Sequence, residues 1–177
     1  MKKIIIIGSA GAGKSTLAKT IAKQLRIPHY ELDAINHQKN WQTIDRDEFR
    51  RIVETKTEQD GWVFCGNYFS TLGFDFWRKA DMIIWCDYSF PLVMTRLLKR
   101  TLKRTLTKEE LWNGNREGFI TNFFTKDSIF VWMIKSWKKQ KLRYSEIFAN
   151  GSSVLPGIQL VRLRSPKATK IFLEHVR

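Results

Sequence analysis

Lys3-Ile4-Ile5-Ile6-Ile7-Gly8-Ser9-Ala10-Gly11-Ala12-Gly13-Lys14-Ser15-Thr16 is the stretch on which the reading of this chain turns. Its first part is a β-branched run with no polar residue inside it, the pattern of a strand buried on both faces of a parallel sheet. Gly8 to Gly13 is a glycine-rich turn, and from Ser15 to Leu25 the apolar positions Leu17, Ile21, Ala22 and Leu25 recur at helical spacing. Between strand and helix, Gly8-Ser9-Ala10-Gly11-Ala12-Gly13-Lys14-Ser15 satisfies G-x-x-x-x-G-K-[ST] at every fixed position. Glycines let successive backbone N–H groups turn inward and form a nest for phosphate oxygens. The start of the helix adds the positive end of its dipole at the same point. Lys14 is then placed for the outer phosphates of a triphosphate, Ser15 for Mg²⁺, and Thr16 as a further phosphate donor.

The rest of the chain repeats the alternation. A short strand at His29-Tyr30-Glu31-Leu32 ends at Asp33. A helix is expected from an Asp45 cap through Glu58. Strands follow at Trp62–Cys65, ended by Gly66-Asn67, and at Met82–Cys86, ended by Asp87. Helices are expected over Pro91–Arg104 and Ser128–Ala149, the second stopped by Asn150-Gly151. A fifth strand over Ile158–Leu163 and a helix over Lys167–Val176 close the chain. This order predicts a single α/β domain over residues 1–177, with a five-stranded parallel sheet between two helical layers. Residues 106–127, with Asn113-Gly114-Asn115 inside them, are expected to form a mobile insert. In such sheets ligands gather beyond the carboxyl ends of the strands, where the glycine turn, Asp33, Gly66-Asn67, Asp87 and Arg164-Ser165-Pro166 converge.

Composition narrows the function classes. The chain has 177 residues, 43% of them hydrophobic, with seven Trp and twelve Phe, enough for a packed interior. Its longest aliphatic run is four isoleucines, far short of the ~20 residues of a membrane span, and the start lacks the pattern of a leader. A cytoplasmic protein without membrane attachment is therefore expected. Cys65 and Cys86 stand apart from any CxxC or Cys/His cluster and read as buried free thiols. The net charge is +14, and residues 96–177 carry most of it, with 18 Lys/Arg against 6 Asp/Glu. A polyanionic partner follows, either nucleotide phosphates or nucleic acid. On the helix from Ser128, Lys135, Lys138, Lys139, Lys141 and Arg143 lie among Trp132, Trp137 and Tyr144. That pattern suits a core-facing stripe with a solvated basic face, or a nucleic-acid surface.

Further segments carry a resemblance. Ile27-Pro28-His29 leading to Leu32-Asp33, Trp62 through Gly66-Asn67-Tyr68, Arg96-Leu97-Leu98-Lys99-Arg100, Glu110 through Glu117, and Val161 through Pro166 resemble the adenylate-kinase-like P-loop proteins. Within these they are most similar to the group labelled "DNA topology modulation". The likeness covers essentially the whole chain; the cradle is widely shared, whereas Gly66-Asn67-Tyr68 and Trp112 to Glu117 are more specific. It implies a three-layer P-loop NTPase fold with a lid over bound ATP, and a kinase moving the γ-phosphoryl to a nucleotide or other small hydroxylated acceptor. The alternative it implies is a nucleotide-dependent nucleic-acid-binding protein with little kinase activity.

Under the resemblance Arg96 lies against adenine, Arg164-Ser165-Pro166 lines it, and Arg100, Arg116 and Arg143 serve the phosphates. Asp33 aligns the acceptor or holds Mg²⁺, and Gly66, Asn67 and Tyr68 border the acceptor. One departure stands out. The group has Asp before Gly-Asn-Tyr, where a carboxylate would support Mg²⁺, and this chain has Cys65; a thiol does not replace a carboxylate toward a hard ion. Either Asp33 or Asp87 then carries the metal's outer support or phosphoryl transfer is weakened; Asp87, ahead of Ser89 and Pro91, reads first as a cap for the next helix.

Overall fold

The isoleucine run forms β1 (Lys3–Gly8), and Ile4 through Ile7 are all buried. The structure is a computed structural model that describes residues 2–116 and 129–176. Successive strand side chains point to opposite faces, so an uninterrupted apolar run needs cover on both. Ile4 and Ile6 pack with Leu17 and Ile21 of α1 (Lys14–Leu25) and with Val93 and Leu97 of α5 (Phe90–Thr107). Ile5 and Ile7 pack on the other face with Leu32 of α2 (Leu32–Asn36), Phe49 and Val53 of α3 (Arg46–Thr57) and Trp77 of α4 (Phe69–Trp77).

β1 sits at the centre of five parallel strands in the order β2-β3-β1-β4-β5. β2 spans His29–Glu31, β3 Trp62–Cys65, β4 Met82–Cys86 and β5 Gln159–Leu163. The register pairs Ile6 with Cys65 and with Ile84, and Gly8 with Cys86, so the glycine turn leaves from between two buried neighbours. The five-stranded parallel sheet with helices on both faces is the fold expected from the chain.

Local differences have local causes. The second strand stops at Glu31, and Leu32–Asn36 turns into α2, which puts Asp33 on a helix. α4 was not anticipated: Gly73 breaks it with φ 66° and ψ −165°, and this hides the helical spacing that buries Phe76 and Trp77. Asp45 caps α3 as expected, its carboxylate accepting from Asp47 N–H at 2.8 Å and Glu48 N–H at 3.2 Å. Asp87 is no helix cap; the structure gives it another role, described below. α5 continues to Thr107, and α6 spans Ile129–Ala149. Asn150-Gly151 ends α6 but leads at once into a short α7 (Gly151–Val154). α8 (Pro166–His175) closes the chain. Of the insert expected over 106–127, a 3₁₀ turn at Trp112–Gly114 is seen, and 117–127 lie outside the described residues. No helix among the described residues is long and apolar enough to cross a membrane.

Candidate active site

Gly8 leaves β1 with φ 143°, and a side chain there would lie 2.6 Å from the Cys86 carbonyl oxygen. Gly11, at φ 79°, approaches α5 so closely that a Cβ would sit 2.3 Å from the Val93 carbonyl. Between them Ala12 N–H donates to Ser9 C=O at 3.2 Å, closing the turn. Ala10 and the buried Ala12 pack into the core beneath it. Gly13 takes the left-handed conformation before α1, so Lys14, Ser15 and Thr16 form that helix's first turn. Lys14 Nζ donates to Ser9 C=O at 3.1 Å, folding the ammonium over the loop. Burial lowers its pKa below the ordinary lysine value, and the nearby Asp33 carboxylate opposes that shift.

The loop opens on a cleft of about 530 Å³ lined by Gly11, Gly13, Lys14, Ser15 and Thr16, by Arg96, Arg100 and Arg104, and by Glu109 through Trp112. The three arginines share one face of α5 because they are four residues apart. Arg96 stands over the Tyr88 ring at 5.4 Å. It also borders a second cavity of about 410 Å³ on the other side of the loop, which Pro166 and Thr169 help to wall. Ser165 caps α8 by accepting from Ala168 N–H at 3.1 Å, and Arg164 is exposed beside it.

Two lining residues, Lys19 and Glu31, were not singled out from sequence. They pair at 3.2 Å, and Trp112 Nε1–H donates to Glu31 Oε2 at 3.0 Å. The signal for Lys19 was its place one turn beyond Ser15 on the same helix face.

At the ends of β2 and β3, Tyr68 donates its hydroxyl proton to Asp33 Oδ1 at 2.9 Å. Burial, then the Asp33 charge, push the phenol's pKa up, so it stays protonated and orients the carboxylate. Gly66 is buried under Leu32. The Asn67 amide points inward: Oδ1 accepts from Gly8 N–H at 3.0 Å, while Nδ2 donates to Gly8 C=O at 2.6 Å and to Gln140 Oε1 at 3.1 Å. Arg116 pairs with Glu110 at 3.7 Å, and Arg143 lies over the Phe69 ring at 5.7 Å; neither borders the cleft.

Cys65 Sγ lies 3.8 Å from Ser15 Oγ and 3.3 Å from His29 Nε2. Burial first, then the charge of Glu31, push the Cys65 thiol up to about 12, so it is neutral beside Ser15. Cys86 is likewise a buried free thiol. Asp87 is gripped by Arg162 through Nε at 3.0 Å and Nη2 at 2.7 Å, with Lys141 Nζ at 3.5 Å. Ser89 rather than Asp87 stands at the cap position of α5, and Asp87 is instead held by Arg162 of the neighbouring strand β5, a pairing no local pattern encodes. Among the described residues no group of three or more His, Cys, Asp or Glu side chains is placed to hold a metal.

Next to the cleft-lining Trp112, two short 3₁₀ turns, Lys39–Trp41 and Trp112–Gly114, are stitched together. Asn115 Oδ1 accepts from Trp41 N–H at 2.8 Å, and its Nδ2 donates to the carbonyls of Gln38 and Trp112, each at 2.8 Å. Asn113 Nδ2 donates to His37 C=O at 2.5 Å, and the His37 ring stands between Trp41 and Trp112.

Fold and loop together define a P-loop α/β protein with the architecture of the small kinases. The sequence pattern described as "ATPase family associated with various cellular activities (AAA)" matches residues 4–65, from β1 through β3. A shikimate kinase from Sulfurihydrogenibium sp. (strain YO3AOP1) is 27% identical over 125 residues, 63% of this chain and 75% of the relative. Shikimate kinase from Acinetobacter baumannii, solved in complex with shikimate, superposes with a TM-score of 0.62 at 12% identity, covering 99% of this chain and 91% of that one. The enzyme from Bacteroides thetaiotaomicron gives 0.59 at 14% identity, covering 99% and 95%. At these identities the two structures speak for the fold.

Proposed function

We propose that the protein is an ATP-dependent kinase that moves the γ-phosphoryl group to a small acceptor, a nucleotide or another hydroxylated metabolite. The observation that carries the reading is the cradle itself, with the Lys14 ammonium folded over Ser9 and an arginine row facing it across one cleft. Phosphoryl transfer asks for position and charge neutralisation more than covalent chemistry. Lys14 and Arg100 would meet the charge on the transferring group. Arg96, between the two cavities, would hold the nucleotide with Pro166 on the base side, and Arg164 and Ser165 would flank that pocket.

Asp33, fixed by Tyr68, would accept a hydrogen bond from the acceptor hydroxyl and aim its oxygen. Gly66 and Tyr68 would border the acceptor, and Asn67 would act by holding Gly8. Arg116, Arg143 and the insert over 106–127 would serve a closing lid. The donor set suits Mg²⁺ in a limited way: the Ser15 hydroxyl is available as a ligand, the neighbouring thiol adds nothing, and Asp33 is a nearby carboxylate, as is Glu31, already paired with Lys19. When bound, the ion would neutralise charge on the β- and γ-oxygens.

The likeness to the adenylate-kinase-like group, including its "DNA topology modulation" members, bears on the acceptor, and the shikimate kinases widen the choice to small hydroxylated acids. The nucleic-acid reading gains nothing here. None of the relatives named above is described as binding nucleic acid, and two cations of the basic helix are engaged internally, Lys141 with Asp87 and Arg143 with Phe69.

The test has two arms. ATP with Mg²⁺ should raise the melting temperature of the wild type and leave Lys14→Ala unchanged. ADP release should then depend on one class among nucleosides, nucleotides, sugars and hydroxylated acids. Absence of any ATP-dependent shift, or ADP release indifferent to every acceptor, overturns the proposal.

A further inference from the structure

α6 changes sides. Its Met133 belongs to the core under α1 and α5, whereas Tyr144 and Ile147 belong to the core on the opposite face. Between these anchors the helix crosses the carboxyl edge of the sheet, and there it sets two polar side chains against the strand ends. Lys141 meets Asp87 beyond β4, and Gln140 meets Asn67 beyond β3.

Both N–H groups of the Asn67 amide are bonded, and its oxygen accepts from Gly8. Gly8 supplies one donor and one acceptor to it, so the amide has one favourable orientation, and its second N–H is left pointing at Gln140 Oε1. Gly8 is the hinge from β1 into the phosphate cradle, and its conformation leaves no room for a side chain against Cys86. Ser9, whose carbonyl receives the Lys14 ammonium, borders the same small recess as Gln140 and Lys141.

We infer that Gln140 is a positioning residue for the phosphate loop. Through Asn67 it fixes the angle at which Gly8 launches the cradle, and so ties nucleotide binding to the seating of the helix that crosses the sheet edge. The inference rests on the kinase reading for its consequence, though not for its geometry. Gln140 does not line the cleft. It acts by satisfying the remaining N–H of the amide that grips Gly8; without that acceptor a part-buried N–H is left unpaired, and the amide shifts toward other partners at the expense of its two bonds to Gly8.

The experiment compares Gln140→Met, which keeps the bulk and loses the acceptor, with Gln140→Glu, which keeps an acceptor oxygen. Loss of one such hydrogen bond predicts about a three- to tenfold weaker ATP affinity for Gln140→Met by calorimetry with Mg²⁺ present. Gln140→Glu, which keeps the acceptor, should lose clearly less than Gln140→Met, and comparing the two at several salt concentrations separates the added charge from the lost hydrogen bond. In the nucleotide-free protein the Gly8 amide resonance should move in Gln140→Met and hold its place in Gln140→Glu.

Unchanged affinity in Gln140→Met overturns the inference, even if its melting temperature falls, because that would be a merely structural role. Equal loss in both variants overturns it too. If neither wild type nor Lys14→Ala responds to ATP, the kinase reading fails, and the Gly8 resonance still decides the positioning claim: a resonance unmoved by Gln140→Met refutes it.

Discussion

Replacing Asp87 with alanine should destabilise the fold and leave the nucleotide response intact. The carboxylate side chain is 6% exposed and holds Arg162 by two hydrogen bonds, with Lys141 as a third contact. Removing one member of a buried pair typically costs about 3–5 kcal/mol, because the partner is stranded. Here the stranded cations retain 28% and 38% of their exposure, so water compensates part of that. We expect about 2–3 kcal/mol, between the buried and surface limits. For a chain of this length that corresponds to a fall in Tm of about 4–12 °C.

Urea denaturation of wild type, Asp87→Ala, Arg162→Met and the double variant would complete a cycle, with methionine keeping part of the packing of Arg162 on Trp85. A coupling energy of about 1–3 kcal/mol is expected for partners in one network. A value near zero, or an Asp87→Ala protein as stable as wild type, refutes the assignment. So does an Asp87→Ala protein of normal stability that no longer answers to ATP with Mg²⁺, since that pattern belongs to a metal-supporting residue.

Gly11→Ala should cost at least about 2 kcal/mol, from a left-handed backbone and a collision with α5, whereas Gly13→Ala, whose nearest foreign atom is 3.9 Å away, should cost about half that; paired urea curves read the order, and equal losses would contradict it. For Lys14 the native state holds its proton less tightly than the unfolded chain does. The unfolded state therefore binds more protons between the lowered pKa and 10.5, and stability from this group rises with pH through that window, while below it the buried charge costs stability in full. Lys14→Met should accordingly raise the Tm of nucleotide-free protein at neutral pH, and parallel pH curves for the two proteins would argue against the shift. With the two thiols pushed up to about 12 and about 11, no more than about one in a thousand is ionised at pH 8, so a disulfide reagent should label neither in the native protein and both in urea. Cys65→Asp, which puts a carboxylate near Ser15, should strengthen Mg²⁺-dependent ATP binding; unchanged affinity by calorimetry would refute a metal-side role for that position.

Much of the fold was legible because its signals are local. The isoleucine run, the glycine turn and the helical spacing after it each lie within one element, and the alternation of strands and helices then leaves few topologies. The cradle was legible for the same reason, since all its backbone donors come from one loop. Asp87 and Asn67 were not, because their roles are set by partners about 75 residues away, Arg162 and Gln140. α4 was missed because a single left-handed glycine interrupts its periodicity. Glu31 reaches the cleft wall only through the fold, whereas Lys19 follows from helical spacing after Ser15.

The stitching of Trp41 to Asn115 joins positions 74 residues apart. Closing so long a loop is entropically expensive, and the hydrogen bonds and ring contacts that reward it come only once it is closed, so this seam should form late as the chain folds. The strands and the cradle beneath it mature first. By the same logic the seam is the cheapest part of the native state to open, and the amide protons of Trp41 and Asn115 should exchange with deuterium well before those of Ile5 and Ile6.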